Sequence, residues 1–361
     1  MALIVSLEGP RDVRLVEEVD ASLESGQVRV RTLYSGISAG TELASWRGSN
    51  PHQARSWDPT LRRFREGAAS TPYPVRNWGY EEVGEVSEVA GDVHMQPGTL
   101  VYGAWGHRSS AVLSAGYAQA RVLPTGLPPL AGIFSHIGSV ALTGIHDAAP
   151  RVGEWVAVFG LGVVGQILCQ LAGVAGCRVI AVDRRRERLE LAATLGRAQE
   201  LIDAGEGGVA EQMRALTGGR GADVTIEASG AVSALHETVR SAAYGSQVVA
   251  LGFYQGGAGE LRLGEEFHHN RVRLISSQIS GVAPELQGRW DRIRLARTVM
   301  ELQAQGRLRL VDLVSRLVPP DRAAQAYQEL DESPDAALQL VFDFTAAESG
   351  TDGVPEEGSG A

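Results

Sequence analysis

Three glycines, Gly160, Gly162 and Gly165, set in the run Gly160-Leu161-Gly162-Val163-Val164-Gly165, carry the clearest chemistry in this chain. The first permits a tight turn, the second lets backbone approach a pyrophosphate, and the third lets a helix pack close on the preceding strand. The spacing gains meaning from its surroundings. The preceding WVAVF is continuously apolar, as in a buried parallel strand. The following VVGQILCQL has helical spacing, so a diphosphate would meet the free N–H groups and positive end of a helix. A second apolar run, RVIAVD, ends on Asp183, 21 residues after Gly162. An acid at about that distance takes the ribose 2′-hydroxyl of a dinucleotide. A carboxylate there repels a 2′-phosphate and so favours NAD over NADP. The adjoining Arg184-Arg185-Arg186 is either a solvated helix start or a source of partial NADP tolerance.

The elements that position these groups fall into two styles. From Val152 onward, strands and helices alternate: strands near 156–160, 179–183, 224–228, 248–252 and 271–278, helices near 163–175, 186–195, 209–216 and 234–243. This pattern predicts a parallel sheet wound with helices. Before it, residues 1–35 and 82–125 read as short antiparallel strands, with 118–122 as one of them. Between these lies a polar segment, residues 47–77, with Trp57 and Phe64, expected to be a functional loop with some helix. With Trp46 and Trp78, and the cluster Arg289-Trp290-Asp291-Arg292, it could shape a pocket for a large or polar substrate. A helix over 291–306, then a helix and final strand over 323–344, return the chain to its first domain.

Composition narrows the function. The chain has 361 residues, 44% hydrophobic and 21% charged, ordinary for a globular protein and long enough for two domains. A net charge of −10 argues against nucleic acid. No apolar run is long enough to span a membrane, and the N-terminus lacks the basic start of a signal peptide, so a cytoplasmic enzyme is expected. Residues 345–361 are expected to form a disordered acidic tail. Cys169 and Cys177 make neither a disulfide framework nor a zinc cluster. All 33 basic residues are arginine, which excludes Schiff-base chemistry and any Tyr–Lys acid pair.

The chain resembles the medium-chain dehydrogenase/reductases. The resemblance rests on Gly36-Ile37-Ser38 with Thr41-Glu42, on Gly79-Tyr80-Glu81 followed by Val83-Gly84-Glu85-Val86, on residues 139–146, 160–165 and 245–252, and on Asp183. It implies an α/β protein: a GroES-like β-barrel catalytic domain over 1–124 and 281–344, and a Rossmann doubly wound parallel sheet over 125–280. It also implies a homodimer through the last Rossmann strand. The family's catalytic zinc ligands fall, by position, on Ser38, Tyr80 and Ser139, none of which is a normal zinc donor. Its four-cysteine zinc lobe is replaced by residues 103–110, and His268-His269 would point apart, so no metal site is expected.

Gly40-Thr41-Glu42 together with Gly79-Tyr80-Glu81 is similar to a zinc-less branch that includes bacteriochlorophyllide-type dehydrogenases. The resemblance gives Thr41 and Ser38 a proton-relay role, and Glu81 and Glu42 the role of supporting carboxylates. Tyr80 becomes the hydrogen-bond donor that replaces the metal, its pKa lowered if Arg76 lies close, or else a packed aromatic. Thr41 could equally cap a helix, and His107 is an alternative acid or a solvated loop residue. Arg188 would lie near the adenosine ribose, and Thr143, Gly252 and Phe253 beside the nicotinamide. The expected activity is zinc-independent hydride transfer between NAD(H) and a secondary alcohol or ketone on a sugar, cyclitol or other polyhydroxylated substrate. An NADPH-dependent enone or quinone reductase, or an inactive nucleotide-binding protein, are the alternatives.

Overall fold

The computed structural model describes residues 1–67 and 69–345. The acidic tail expected from residue 345 lies, from 346 onward, outside the described residues.

Six parallel strands form one sheet, in the spatial order Glu200–Asp203, Arg178–Asp183, Trp155–Phe159, Ala222–Glu227, Ala242–Ala250 and Arg273–Ser276. Trp155–Phe159 is buried along its whole length, as a strand covered by helices on both faces must be. The chain winds outward from it in one direction and then, at Ala222–Glu227, in the other. That reversal opens a crevice at the carboxyl ends of the two central strands, where open α/β sheets bind ligands. The helix Val163–Val174 begins directly after Gly162 and points its N-terminus at the crevice.

A second sheet draws on both ends of the chain. Its order is Val314–Val318, Gln339–Asp343, Gln27–Gly36, Glu82–Val89 and Leu100–Gly103, with Ser110–Ser114 also paired to Gln27–Gly36. Gln27–Gly36 alternates buried and half-buried residues before closing on a fully buried Ser35-Gly36. Val341 pairs with Gly36, so the last strand sets the end of the strand that leads to Ser38. The helix Phe134–Ala148 lies between the two sheets' cores. It packs on Val163–Val174 and on Arg292–Ala304 so tightly that a Cβ at Gly138 would stand 2.5 Å from Val299.

Three local expectations change. Residues 47–77 hold a 3₁₀ turn, Pro51–Gln53, and a hairpin of Arg55–Asp58 with Arg63–Glu66, on which Trp57 and Phe64 meet edge to face at 5.1 Å. Residues 118–122 are not a strand: Ala115–Gln119 is helical, and Val122 makes a single bridge to Val101. The rings of His268 and His269 do not point apart but meet edge to face at 5.3 Å. Among the described residues, no helix is long and apolar enough to cross a membrane.

Candidate active site

A cleft of about 520 Å³ runs between the two sheets. One wall is made by the glycine turn and its neighbours, the other by the segment leading from Gln27–Gly36 into the helix Ala39–Arg47.

The glycine wall is built mostly from backbone. Gly160 sits at φ +86°, and a Cβ there would press on Ser229 at 2.6 Å. A Cβ on Gly165 would come within 1.9 Å of the Gly160 carbonyl oxygen, so only glycine lets the helix close on the strand. Gly162, Val163 and Val164 face the cleft; Leu161 and Gly165 stand behind it. Asp183 lines the cleft at the end of its strand, its carboxylate fixed by the Leu161 N–H at 2.6 Å and the Arg185 N–H at 3.0 Å. Arg188 lines it too and donates to the Pro334 carbonyl at 2.9 Å. Arg184 is exposed and outside the lining. Gly252 and Phe253 line the opposite end. Thr143 does not: it is buried in its helix and donates to the Ser139 carbonyl at 2.8 Å.

A buried carboxylate that the sequence did not single out ties two of these loops together. Glu227 closes its strand and accepts from the Ser229 N–H at 2.7 Å, the Gly230 N–H at 3.1 Å, and the hydroxyls of Ser229 and Tyr254. Burial pushes its pKa up, against those hydrogen bonds. The available signal was an acid ending an apolar strand just before Ser229-Gly230, where the chain must turn.

The other wall is built from side chains. Ser38 precedes the helix Ala39–Arg47 as its N-cap, but its hydroxyl does not cap the helix; it accepts from the Tyr80 hydroxyl. The Ser38 N–H donates instead to Glu42 at 3.0 Å. Thr41 is in the first helical turn, exposed on the cleft rather than at the cap. Tyr80 and Glu81 line the cleft beside it. Tyr80's ring packs 4.6 Å from that of His136, whose pKa burial lowers to about 4, so the imidazole beside the phenol is neutral.

Burial raises the Tyr80 pKa, and the charges of Glu81 and Glu42 add to that; contacts with Ser38 and Thr41 work the other way and lose. Arg76 does not lower it, because its guanidinium is turned to Glu18 at 3.6 Å. Tyr80 therefore stays protonated near neutrality. Glu81 is fully buried; burial, with Glu42 and Glu82 nearby, raises its pKa well above the ordinary carboxylate value. One Glu81 oxygen accepts from Gln339 at 3.3 Å and the other has no hydrogen-bond partner.

His107 is neither a solvated loop residue nor in reach of the cleft. It is 0% exposed. Its Nδ1 meets the Ser35 hydroxyl at 2.6 Å, and its Nε2 meets Glu42 at 3.1 Å and the Tyr327 hydroxyl at 3.1 Å. Tyr327 also donates to Glu42 at 2.5 Å. Burial alone would lower the His107 pKa, but the Glu42 and Glu82 carboxylates outweigh it and hold the pKa above the ordinary value. Glu82, in turn, accepts from Ser35 at 3.0 Å and from the Trp105 N–H at 2.7 Å. His107 thus anchors the carboxylates behind Ser38 and Tyr80.

The aromatic residues expected to shape a substrate pocket lie elsewhere. Trp46 and Trp78 are buried, with Trp78 stacked on Tyr327 at 4.6 Å. Trp57 is on the exposed hairpin, and Trp290 packs against His146 at 4.3 Å. Among the described residues of 47–77, only Arg47 lines the cleft.

The donor set decides what the site could hold. Ser38, Tyr80 and Ser139 offer hydroxyls, and the Ser139 hydroxyl is spent on the Ser135 carbonyl at 2.6 Å. Zinc takes thiolate, imidazole or carboxylate, so this triplet does not fit it. Among the described residues, no group of three or more His, Cys, Asp or Glu is arranged to hold a metal. A dinucleotide does fit: the cradle at Gly162 is open, with nothing within 4 Å of a Cβ position, and Asp183 lines the same cleft.

Comparison with known proteins gives the family. Residues 163–293 match the family model described as zinc-binding dehydrogenase. D-guloside 3-dehydrogenase of Shigella flexneri is 30% identical, over 93% of this chain and 98% of that protein. Among solved structures, a putative zinc-binding dehydrogenase from Sinorhizobium meliloti 1021, bound to NADP, superposes with a TM-score of 0.77 at 21% identity, covering 95% of this chain and 99% of that one. A protein from Escherichia coli CFT073 described as a short chain alcohol dehydrogenase, complexed with NADH, gives a TM-score of 0.74 at 19% identity, covering 95% of this chain and 99% of that one.

Proposed function

The chain belongs to the medium-chain dehydrogenase/reductases, and from that premise we propose that it moves a hydride between NAD(H) and a secondary alcohol or ketone of a polyhydroxylated, sugar-like substrate without a catalytic zinc. The observation that carries this reading is the single cleft that joins Gly162 and Asp183 to Ser38, Thr41, Tyr80 and Glu81. A bound nicotinamide would supply the hydride acceptor or donor. The guloside dehydrogenase relative supports the substrate class, and Asp183 supports NAD.

The chain's own residues then do what the metal does elsewhere in the family. When substrate binds, Tyr80, held protonated, turns its one hydroxyl hydrogen from Ser38 to the substrate carbonyl and polarises it as a hydrogen-bond donor, the Ser38 hydroxyl then donating to the Tyr80 oxygen. In reduction it gives its proton to the forming alkoxide and regains one through Ser38 and the exposed Thr41. In oxidation the same path runs outward, and the neighbouring carboxylates hinder it by disfavouring the phenolate. Ile137, Val140, Leu251 and Phe253 contribute to the apolar part of the lining.

In domain terms, we read residues 1–124 and 281–344 as the catalytic unit, its mixed sheet corresponding to a GroES-like barrel, and 125–280 as the nucleotide unit. The edge strand Arg273–Ser276 is the element through which a homodimer would form. Elemental analysis of purified protein, paired with NAD-linked turnover on a panel of sugars and polyols, tests the central reading. Turnover with zinc well below one per chain, insensitive to chelator, is expected. Stoichiometric zinc whose removal abolishes turnover would overturn it.

A further inference from the structure

We propose that Asp335, on the segment after the helix Ala323–Glu332, sets nucleotide choice by holding Arg185 away from the adenosine ribose; this rests on the reading of the cleft as a dinucleotide site. Asp183 and Arg185 share one turn, the Arg185 N–H donating to the Asp183 carboxylate at 3.0 Å. A guanidinium two residues beyond a ribose-binding acid is well placed to meet a 2′-phosphate, which it would bind through paired, charge-assisted hydrogen bonds. Here it is turned the other way. Its Nη1 donates to the Pro334 carbonyl at 2.7 Å and pairs with the Asp335 carboxylate. Arg188 donates to the same Pro334 carbonyl at 2.9 Å, so one carbonyl gathers two guanidinium groups. Arg186 is also engaged, with Glu190 at 3.0 Å.

Pro334 and Leu338 line the cleft, so this segment is the wall of the nucleotide site nearest Asp183 and Arg188. It belongs to the C-terminal return of the chain and reaches across to the parallel-sheet half. Asp335 occupies the guanidinium that a 2′-phosphate would need. The Asp335 side chain is 72% exposed, and an exposed ion pair adds little to stability. Removing the carboxylate should therefore leave the fold intact and the change in selectivity readable.

The test is calorimetric titration of the full chain with 5′-AMP and with 2′,5′-ADP, the adenosine halves of the two cofactors, which needs no turnover. In Asp335→Ala the ratio of the two dissociation constants should move about tenfold toward the 2′-phosphorylated probe. Adding Arg185→Ala should erase that gain. An unchanged ratio in Asp335→Ala, or a gain that survives Arg185→Ala, overturns the assignment while 5′-AMP binding leaves the dinucleotide reading standing. Failure of the parent chain to bind either probe overturns both.

Discussion

The two walls of the cleft are built on different principles. The heart of the glycine wall, from Gly160 to Asp183, is one continuous stretch of about two dozen residues, presents mostly backbone to the cleft, and has the Asp183 carboxylate satisfied by two N–H groups. The opposite wall is assembled from side chains on segments far apart in sequence: Ser38 and Glu42, Tyr80 to Glu82, His107, Tyr327 and Gln339. It buries three carboxylates within one cluster. A backbone cradle tolerates little change in shape, and its N–H groups have no proton to gain or lose near neutrality. A buried polar cluster tolerates changes of shape better and is sensitive to every proton, because a group left unpaired there carries its full desolvation cost. Binding a constant cofactor suits the first design, and adjusting the acid–base chemistry of a variable substrate suits the second.

The contrast can be broken most sharply at Gly165. Gly165→Val places carbon where the Gly160 carbonyl oxygen already lies, so the helix must move off the strand. Destabilisation of at least about 3 kcal/mol and loss of NADH binding are expected, read by thermal unfolding and fluorescence titration. If Gly165→Val kept NADH affinity, the cradle would be less rigid than described. On the other wall, Tyr80→Phe should lower kcat by about 10²- to 10³-fold while the dissociation constant for NADH stays within about twofold. Full turnover would remove Tyr80 from the chemistry.

Charge sensitivity gives a third and smaller effect. The folded pKa values of His107 and Glu81 are both raised, so the folded chain holds protons that the unfolded chain releases. Their contribution to stability is complete below the ordinary values of 6.5 and 4.5 and is lost as pH climbs through the folded ones. Denaturant midpoints should therefore fall with rising pH above about 6, and Glu81→Gln should flatten that slope; an equal slope in Glu81→Gln would mean the cluster does not govern it. The smallest effect belongs to Arg184→Ala. Exposed and outside the cleft, it should change stability by no more than about 0.5 kcal/mol and leave NADH affinity nearly unchanged.

The same contrast explains what could be read from sequence. The strand, glycine turn, helix and acid lie in order along one stretch, and the physics that joins them is local. Ser38, Thr41, Tyr80 and Glu81 were reachable because two short motifs carry them. Their partners were not. The register that brings Val341 beside Gly36, and with it Gln339 beside Glu81, depends on pairing between the two ends of the chain. The burial of His107 depends on Gly79, which sits at φ +91° and lacks the Cβ that would stand 2.6 Å from the ring, and nothing local in the sequence signals that contact. The hairpin at Arg55–Glu66 escaped notice for a different reason. Its turn uses Arg62 at φ +49° and the Asp58 carboxylate accepting from the Thr60 and Leu61 N–H groups, both at 2.9 Å, in place of the usual Asn-Gly signal.

The sharing of one sheet between the first and last strands also has a consequence for how the molecule is made. All six strands of the parallel sheet are available once Arg273–Ser276 has been synthesised. Gln27–Gly36 can pair early with Glu82–Val89 and Ser110–Ser114, but its end, Tyr34 to Gly36, must wait for Gln339–Asp343, and Glu42 and His107 must wait for Tyr327. Pairings this distant in sequence close slowly, because loop entropy is lost before any contact forms. The nascent chain would therefore pass through a stage in which the glycine turn and its parallel sheet are formed while Tyr327 and Gln339 have yet to close the opposite wall of the cleft.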